Sequence, residues 1–271
     1  FIICKTPMAK SITKRTLVGF KNISTNATYF DDLNNMMRNK SKQFIDKITR
    51  TNYWKKKGVE KMNFDAVVGN PPYQEMDGGA QASASPIYQH FVTTSKTIDP
   101  KYISFIMPTR WYVGGKGLNS FREEMLNDIH LKVLYDCLTP DDIFPNTNIR
   151  GGVCYFLWDS NYDNTENLTR VVTIENNKVV ADLLRPIKIE GLDLFIRDGQ
   201  AINIINKIFT NKSQKTMDEF ISVRQPFGLE GDFINSKDFH SNNQKLQNPI
   251  VCYGRGQTLG YVERDIIKTR T

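Results

Sequence analysis

Residues 64–74 read FDAVVGNPPYQ, and this stretch decides the fold. Phe64 to Gly69 is a short apolar run, rich in β-branched residues and closed by glycine, which predicts a buried strand. Asn70-Pro71-Pro72-Tyr73 follows at once, at the carboxyl end of that strand, where ligands bind in open α/β sheets. Two consecutive prolines fix their own φ and restrict the residue before them, so the turn is rigid. Proline has no backbone N–H, so the carbonyls here face outward without a competing local donor. The Asn70 amide oxygen and the Pro71 carbonyl can accept two hydrogen bonds from one amino group. Tyr73 offers a flat ring to hold a planar molecule by its face. Two acceptors on a conjugated amino group pull it toward tetrahedral geometry and localise its lone pair. The plainer reading of the four residues is a proline turn with Tyr73 as a packed aromatic.

Working outward, residues 102–107 (YISFIM), 131–135 (LKVLY) and 152–158 (GVCYFLW) are further apolar strands. Residues 87–98 space Ile87, Phe91 and Val92 as a helix does, and Asp99-Pro100 stops it. A glycine-rich bend at 114–117 leads into a helix with Leu118, Phe121 and Met125 on one face. Strands alternating with helices at short spacing predict a parallel α/β sheet. The strand at 152–158 has no helix before it, so an antiparallel addition is open there. Residues 170–184 (RVVTIENNKVVADLL) predict a hairpin turning at Asn176-Asn177. A helix is expected over about 198–209, and another around 30–48, where Phe30, Leu33, Met37, Phe44 and Ile48 fall near one face.

The chain has 271 residues and a formal net charge of +7. Residues 1–63 hold 14 Lys and Arg against 4 Asp and Glu, so the remainder is net negative. The excess lies in runs such as KSITKR and YWKKKG. It reads either as a solvated linker or as an arm contacting phosphates, whose binding would weaken steeply with salt. No stretch approaches the roughly 20 apolar residues a membrane span needs. The four cysteines form no C-x-x-C pair and predict a reducing, cytoplasmic compartment. His90, His130 and His240 are isolated, so no metal site is expected.

The string FDAVVGNPPYQ resembles motif IV of the S-adenosylmethionine-dependent methyltransferases that act on amino groups. Two branches share it: the DNA adenine-N6 enzymes, and the enzymes of ribosomal RNA guanine and release-factor glutamine. Residues 85–158 resemble the adenine methyltransferases of type II restriction-modification systems, including those fused to an endonuclease. The likeness fades toward ISVRQPFGL at 221–229, which resembles the target-recognition region of that group. The resemblance implies an α/β fold: a Rossmann-like methyltransferase sheet, present as its C-terminal half, followed by the start of a mixed α+β recognition region. It implies S-adenosylmethionine as cofactor and double-stranded DNA with a flipped adenine as partner. A restriction endonuclease domain or subunit outside this chain is a further implied partner.

Carried over by position, Asn70 and Pro71, with Pro72, would hold the N6 amino group, and Tyr73 would stack on the adenine. Phe144, in IFPN, is the candidate second aromatic of the base pocket; its other reading is a core anchor for the loop. Tyr88 and Phe91 lie on the helix that flanks the cofactor's adenine in relatives, although their spacing equally suits a core face. Arg110, Lys116 and Arg150 are candidate DNA contacts, the last two beside glycines that let a backbone come close.

The glycine motif that opens the cofactor site in this group should precede Asn70, and residues 1–63 do not contain it. GRGQTLG at 254–260 comes too late, lacks the acidic residue, and reads as a turn in the recognition region. The expected division is therefore a basic segment at 1–63, a linker or a remnant of the cofactor half. The catalytic half-domain at 64–160 and the connector with the start of the recognition domain at 161–271 would follow. Such a piece would lack most of the cofactor site. The alternatives are an enzyme of glutamine or RNA, and a DNA-specificity module with an incomplete catalytic half.

Overall fold

Apolar side chains alternating along short extended runs set the architecture. A computed structural model describes residues 1–19, 25–76, 84–147, 149–210, 239–240, 250–253 and 258–262, and the chain divides into two units, Phe1–Thr210 and Asn211–Thr271. The first unit begins with β1 (Ile2–Cys4), α1 (Pro7–Val18), β2 (Ala27–Tyr29), α2 (Leu33–Asn39) and α3 (Ser41–Ile48). β3 (Ala66–Gly69) carries the FDAVVG run, and β4 (Gln74–Met76) pairs antiparallel with β5 (Ala84–Pro86) just beyond Tyr73. α4 (Tyr88–Thr97), β6 (Tyr102–Pro108), α5 (Asn119–Leu126), β7 (Leu131–Cys137) and β8 (Val153–Asp159) complete the expected alternation. β9 (Thr169–Glu175), β10 (Lys178–Arg185) and α6 (Ala201–Thr210) close the unit.

Six strands form one mixed sheet in the order β10-β9-β7-β8-β6-β3. β3 and β6 run parallel, as do β7 and β9, and β8 lies antiparallel between β6 and β7. Parallel neighbours need a crossover, and α4 supplies it between β3 and β6. The α/β, Rossmann-like class read from the sequence is the one observed. β6 buries Ile103, Phe105 and Met107, which pack with Leu131, Leu134, Phe156 and Trp111. α5 adds Phe121, Met125 and Leu126 to the same core.

The sheet does not end near Asp159. β9 pairs with β7, and the β9–β10 hairpin turns at Asn176-Asn177, both with positive φ, as a tight two-residue turn requires. Val171 and Val172 are buried, which is why this hairpin belongs to the sheet rather than to the following region.

Residues 1–63 are not a linker. Their apolar positions build a second core, with Phe30, Leu33, Met37, Phe44, Ile48 and Trp54 packed against Ile87 and Phe91 at the start of α4. The expected helix over 30–48 is two helices, broken at Lys40, where φ is −132°. β1 and β2 form a separate parallel pair. Thr6 caps α1, its hydroxyl accepting from the Ala9 amide at 3.1 Å, with Pro7 in the first turn.

β3 is the last strand on its side of the large sheet, and β1 pairs with β2 alone among the described residues. Between β1 and β3 lies a cleft of about 360 Å³, walled by apolar side chains including Ile3, Phe64, Val67 and Phe91. No helix among the described residues is long and apolar enough to cross a membrane.

In the second unit, β11 (Phe239–His240), β12 (Ile250–Tyr253) and β13 (Thr258–Val262) form an antiparallel sheet in the order β11-β13-β12. Residues 221–229 lie outside the described residues, as do residues 254–257 of GRGQTLG; residues 258–260 of that string belong to β13.

Candidate active site

Gly69 ends β3 in register with Phe105 of β6, and the chain leaves the sheet through Asn70-Pro71-Pro72-Tyr73. A Cβ placed on Gly69 would stand 2.8 Å from the Phe105 ring, so glycine lets these two parallel strands come together just before the turn. Asn70 is exposed, Pro71 is buried, and Pro72 and Tyr73 are half-buried. The Tyr73 carbonyl accepts from the Ile87 amide at 3.3 Å, which ties the end of the turn to the start of α4.

The turn separates two cavities. Asn70, Pro71 and Pro72 border the apolar cleft between β1 and β3. Tyr73 faces a second cavity of about 310 Å³, whose walls include Pro86, Tyr88, Pro108, Arg110, Ile149 and Arg150. Phe144 stands edge-on to Tyr73, with ring centroids 6.3 Å apart and planes at 77°. Both rings are half-buried. The Tyr73 hydroxyl is buried and meets no hydrogen-bond partner among the described residues. Burial, and then the Cys154 thiol group nearby, push its pKa up to about 12, so the ring stays neutral. A neutral aromatic ring on the wall of this cavity suits a planar, uncharged ligand.

The sequence-predicted residues separate as follows. Asn70, Pro71, Pro72 and Tyr73 form the partition, and Phe144 packs edge-on against Tyr73 without lining either cavity. Arg110 and Arg150 stand on that cavity's walls, both exposed. Tyr88 and Phe91 do not share a cavity: Phe91 faces the apolar cleft and Tyr88 faces the second cavity. Both also pack into core clusters, Phe91 at 9% exposure and Tyr88 at 1%. Lys116 borders neither cavity; it is exposed, with positive φ, and its ammonium lies 3.5 Å from the Ala84 carbonyl.

Sequence reading missed the fastenings around these walls. Asn34 of α2 donates to Glu75 of β4 at 2.9 Å, and Arg38 pairs with the same carboxylate at 2.9 Å, so the N-terminal segment holds the hairpin beyond Tyr73. Thr109 donates to the Gly151 carbonyl at 2.8 Å, and Arg197 reaches the same carbonyl at 2.5 Å. Only Gly151-Gly152 itself carried a signal, as a glycine pair that permits close backbone approach.

A family model for the Eco57I restriction-modification methylases matches residues 1–144, just over half of the chain. The chain belongs to that family. An uncharacterized adenine-specific methylase of Mycoplasma pneumoniae is 34% identical over 104 residues, which cover 37% of this chain and 25% of that protein. Among solved structures, the type I restriction-modification methyltransferase subunit from Streptococcus thermophilus is similar at 13% identity and a TM-score of 0.35, over 79% of this chain and 49% of that one. The M protein of the type I enzyme EcoKI is similar at 15% identity and a TM-score of 0.30, over 42% of this chain and 26% of that one. The chain thus spans a quarter of the curated relative it matches, and less than half of these two structures. Membership places it among restriction-modification methylases, and the match runs from the first residue through Phe144, across both the N-terminal segment and the site.

Proposed function

We propose that this chain is the substrate-side part of an enzyme that transfers a methyl group from S-adenosylmethionine to adenine N6 in a specific DNA sequence. It would serve as the modification activity of a restriction-modification system. One observation carries the reading: Asn70-Pro71-Pro72-Tyr73 partitions two cavities, and the Tyr73 ring that faces the second is backed edge-on by Phe144. The second cavity has the aromatic walls that a flipped base needs, and its rim carries Arg110 and Arg150, suited to the phosphates beside that base. The Asn70 amide oxygen and the Pro71 carbonyl accept the two N6 hydrogens. This localises the nitrogen lone pair and aims it through the partition toward the apolar cleft. Tyr73 and Phe144 hold the ring by stacking and edge contact. Neither acceptor is a base, so the proton is lost to water after the nitrogen becomes cationic.

S-adenosylmethionine, when bound, supplies the electrophilic methyl group. The apolar cleft fits part of such a cofactor: Ile3, Phe64 and Phe91 suit a purine and a thioether chain. Among the described residues its walls contain no carboxylate for ribose hydroxyls and no glycine turn for the amino-acid end. Those groups would come from outside the described residues.

The test uses the complete enzyme, labelled S-adenosylmethionine and mixed duplex DNA, followed by digestion to nucleosides. Label in N6-methyladenine supports the reading. Label in RNA or protein instead points to the other branch of this chemistry, and no transfer at all points to a DNA-specificity module.

A further inference from the structure

Arg197 lies on the connector between β10 and α6, 61 residues beyond Asp136, yet its guanidinium is spent entirely on the neighbourhood of the second cavity. Its Nε and Nη2 donate to the two oxygens of Asp136 at 2.8 and 2.6 Å, and its Nη1 donates to the Gly151 carbonyl at 2.5 Å. Asp136, in β7, is fully buried, so this charge requires its partner. Gly151 follows Arg150 directly, and its carbonyl is also held by Thr109, which precedes Arg110. The Thr109 amide donates to Gly152 at 3.2 Å. Gly152 has φ of +108°, and a Cβ there would stand 2.6 Å from the Cys137 carbonyl and 2.8 Å from Arg197, so the fit leaves no room for a side chain.

The connector that delivers Arg197 is itself fixed. Phe195 is buried in the main core, and its amide donates to the Tyr112 carbonyl at 3.0 Å, in the turn that contains Arg110. Arg185 of β10 donates to the Ile196 carbonyl at 2.7 Å and lies over the Phe195 ring at 4.9 Å. Residues 195–197 therefore grip two stretches that wall the cavity: the turn after β6 that carries Arg110, and the loop before β8 that carries Ile149 and Arg150.

We propose that Arg197 is a positioning residue for methyl transfer. Its fork, braced on Asp136, locks the stretch that carries Ile149 and Arg150 against the Arg110 turn, so that the walls of the second cavity hold the extruded base against Tyr73 at reacting distance. The proposal rests on the function argued above. Arg197 touches neither the base nor the methyl donor; it acts through Gly151.

The experiment compares wild type, Arg197→Lys and Arg197→Met in the complete enzyme. Three quantities are read: DNA affinity, single-turnover methyl transfer, and the emission of 2-aminopurine placed at the target adenine. Lysine keeps the charge but cannot form the fork. It should leave DNA affinity unchanged, slow single-turnover transfer by about 10- to 100-fold, and shift the 2-aminopurine signal toward a base that is extruded but loosely held. Arg197→Met should go further in the same direction where it folds. A lysine variant with wild-type transfer and emission, whatever its melting temperature, overturns the proposal and leaves Arg197 as a stability element. Absence of methyl transfer in wild type refutes the function instead. The lock is then read by amide exchange in Arg197→Lys: faster exchange confined to 109–112 and 144–152 supports it, and unchanged exchange there overturns it.

Discussion

Replacing Gly69 with alanine adds one methyl group at the point where β3 hands the chain to the Asn70 turn. That methyl carbon would stand 2.8 Å from Cε1 and 3.3 Å from Cδ1 of Phe105. Unstrained carbon contacts sit at about 3.5–4.0 Å, so either the ring or the Gly69–Asn70 backbone must retreat by roughly 0.7–1 Å. The ring belongs to the main core and is 6% exposed, with Ile103 and Met107 buried beside it on β6. The backbone beyond Gly69 is less confined, since Asn70 is exposed. The strain is therefore shared, and it falls mainly on Asn70.

Overpacking of this kind costs about 1–3 kcal/mol, or roughly 2–12 °C in melting temperature for a unit of this size. A displacement near 1 Å at a positioning group slows chemistry by about 100-fold, equivalent to ~2.7 kcal/mol of barrier. Melting temperature and single-turnover methyl transfer at saturating DNA and donor measure the two separately. Phe105→Leu in the same chain removes ring carbons from the point of collision. The double variant should regain most of the lost rate while remaining less stable than wild type. A Gly69→Ala enzyme with wild-type rate and melting temperature would refute the reasoning, as would a double variant no faster than Gly69→Ala.

Asn70→Ala should reduce methyl transfer to background while leaving DNA affinity within a few fold; its side chain is exposed, so stability should change by less than about 0.5 kcal/mol. Surviving activity would end the role given to Asn70. Tyr73→Ala and Phe144→Ala should each weaken retention of the flipped base by about 1–3 kcal/mol, read with 2-aminopurine at the target position, and equal emission in wild type and both variants would count against the aromatic pocket. Burial pushes the Cys154 thiol up to about 12 and the Cys137 thiol up to about 11, so neither supplies thiolate near neutral pH. Alkylation of the folded protein at pH 8 should spare both, and modification of Cys154 before unfolding would contradict its burial. Because these folded values lie above the ordinary thiol value of 9.0, their contribution to stability is complete below pH 9 and declines as pH rises toward 11–12. Replacing Cys154 with alanine should flatten that decline in urea titrations run from pH 8 to 10.5.

Strands and helices were legible wherever the pattern was local. β6 announced itself because Ile103, Phe105 and Met107 alternate, and the β9–β10 hairpin because two asparagines accept positive φ between β-branched runs. The helix break at Lys40 was not legible, since Phe30 through Ile48 keep a workable apolar face across it and no proline or glycine marks the stop. β1 and β2 were missed for a different reason. Each is three residues long, and they are partners across more than twenty residues, so no period exists for either to display. The basic charge of residues 1–63 drew the reading toward a linker. Yet the described lysines are not buried, and the folded piece they lie on has Phe30, Leu33, Met37, Phe44 and Ile48 inside. Net charge describes a surface and its partners, and it says little about whether a core lies beneath.

The site shows the same division. Asn70-Pro71-Pro72-Tyr73 could be proposed from sequence because its chemistry is contained in four adjacent residues, and Phe144 only through the resemblance, which puts a second aromatic in the loop after the LKVLYD strand. Nothing local announces that Arg197 fastens Gly151, next to Arg150 in the wall of the second cavity. It sits in a stretch, IRDGQ, that resembles any polar connector, and its carboxylate lies on β7. What forces the pairing is a buried charge: Asp136 is part of a strand whose neighbours are apolar, and a carboxylate there is tolerated only with a full set of donors. Asp136, next to last in LKVLYDC, needs a cation once β7 is buried in the sheet. Both the burial of Asp136 and the identity of Arg197 needed the fold, which brings residues 195–197 against the Arg110 turn and the loop before β8.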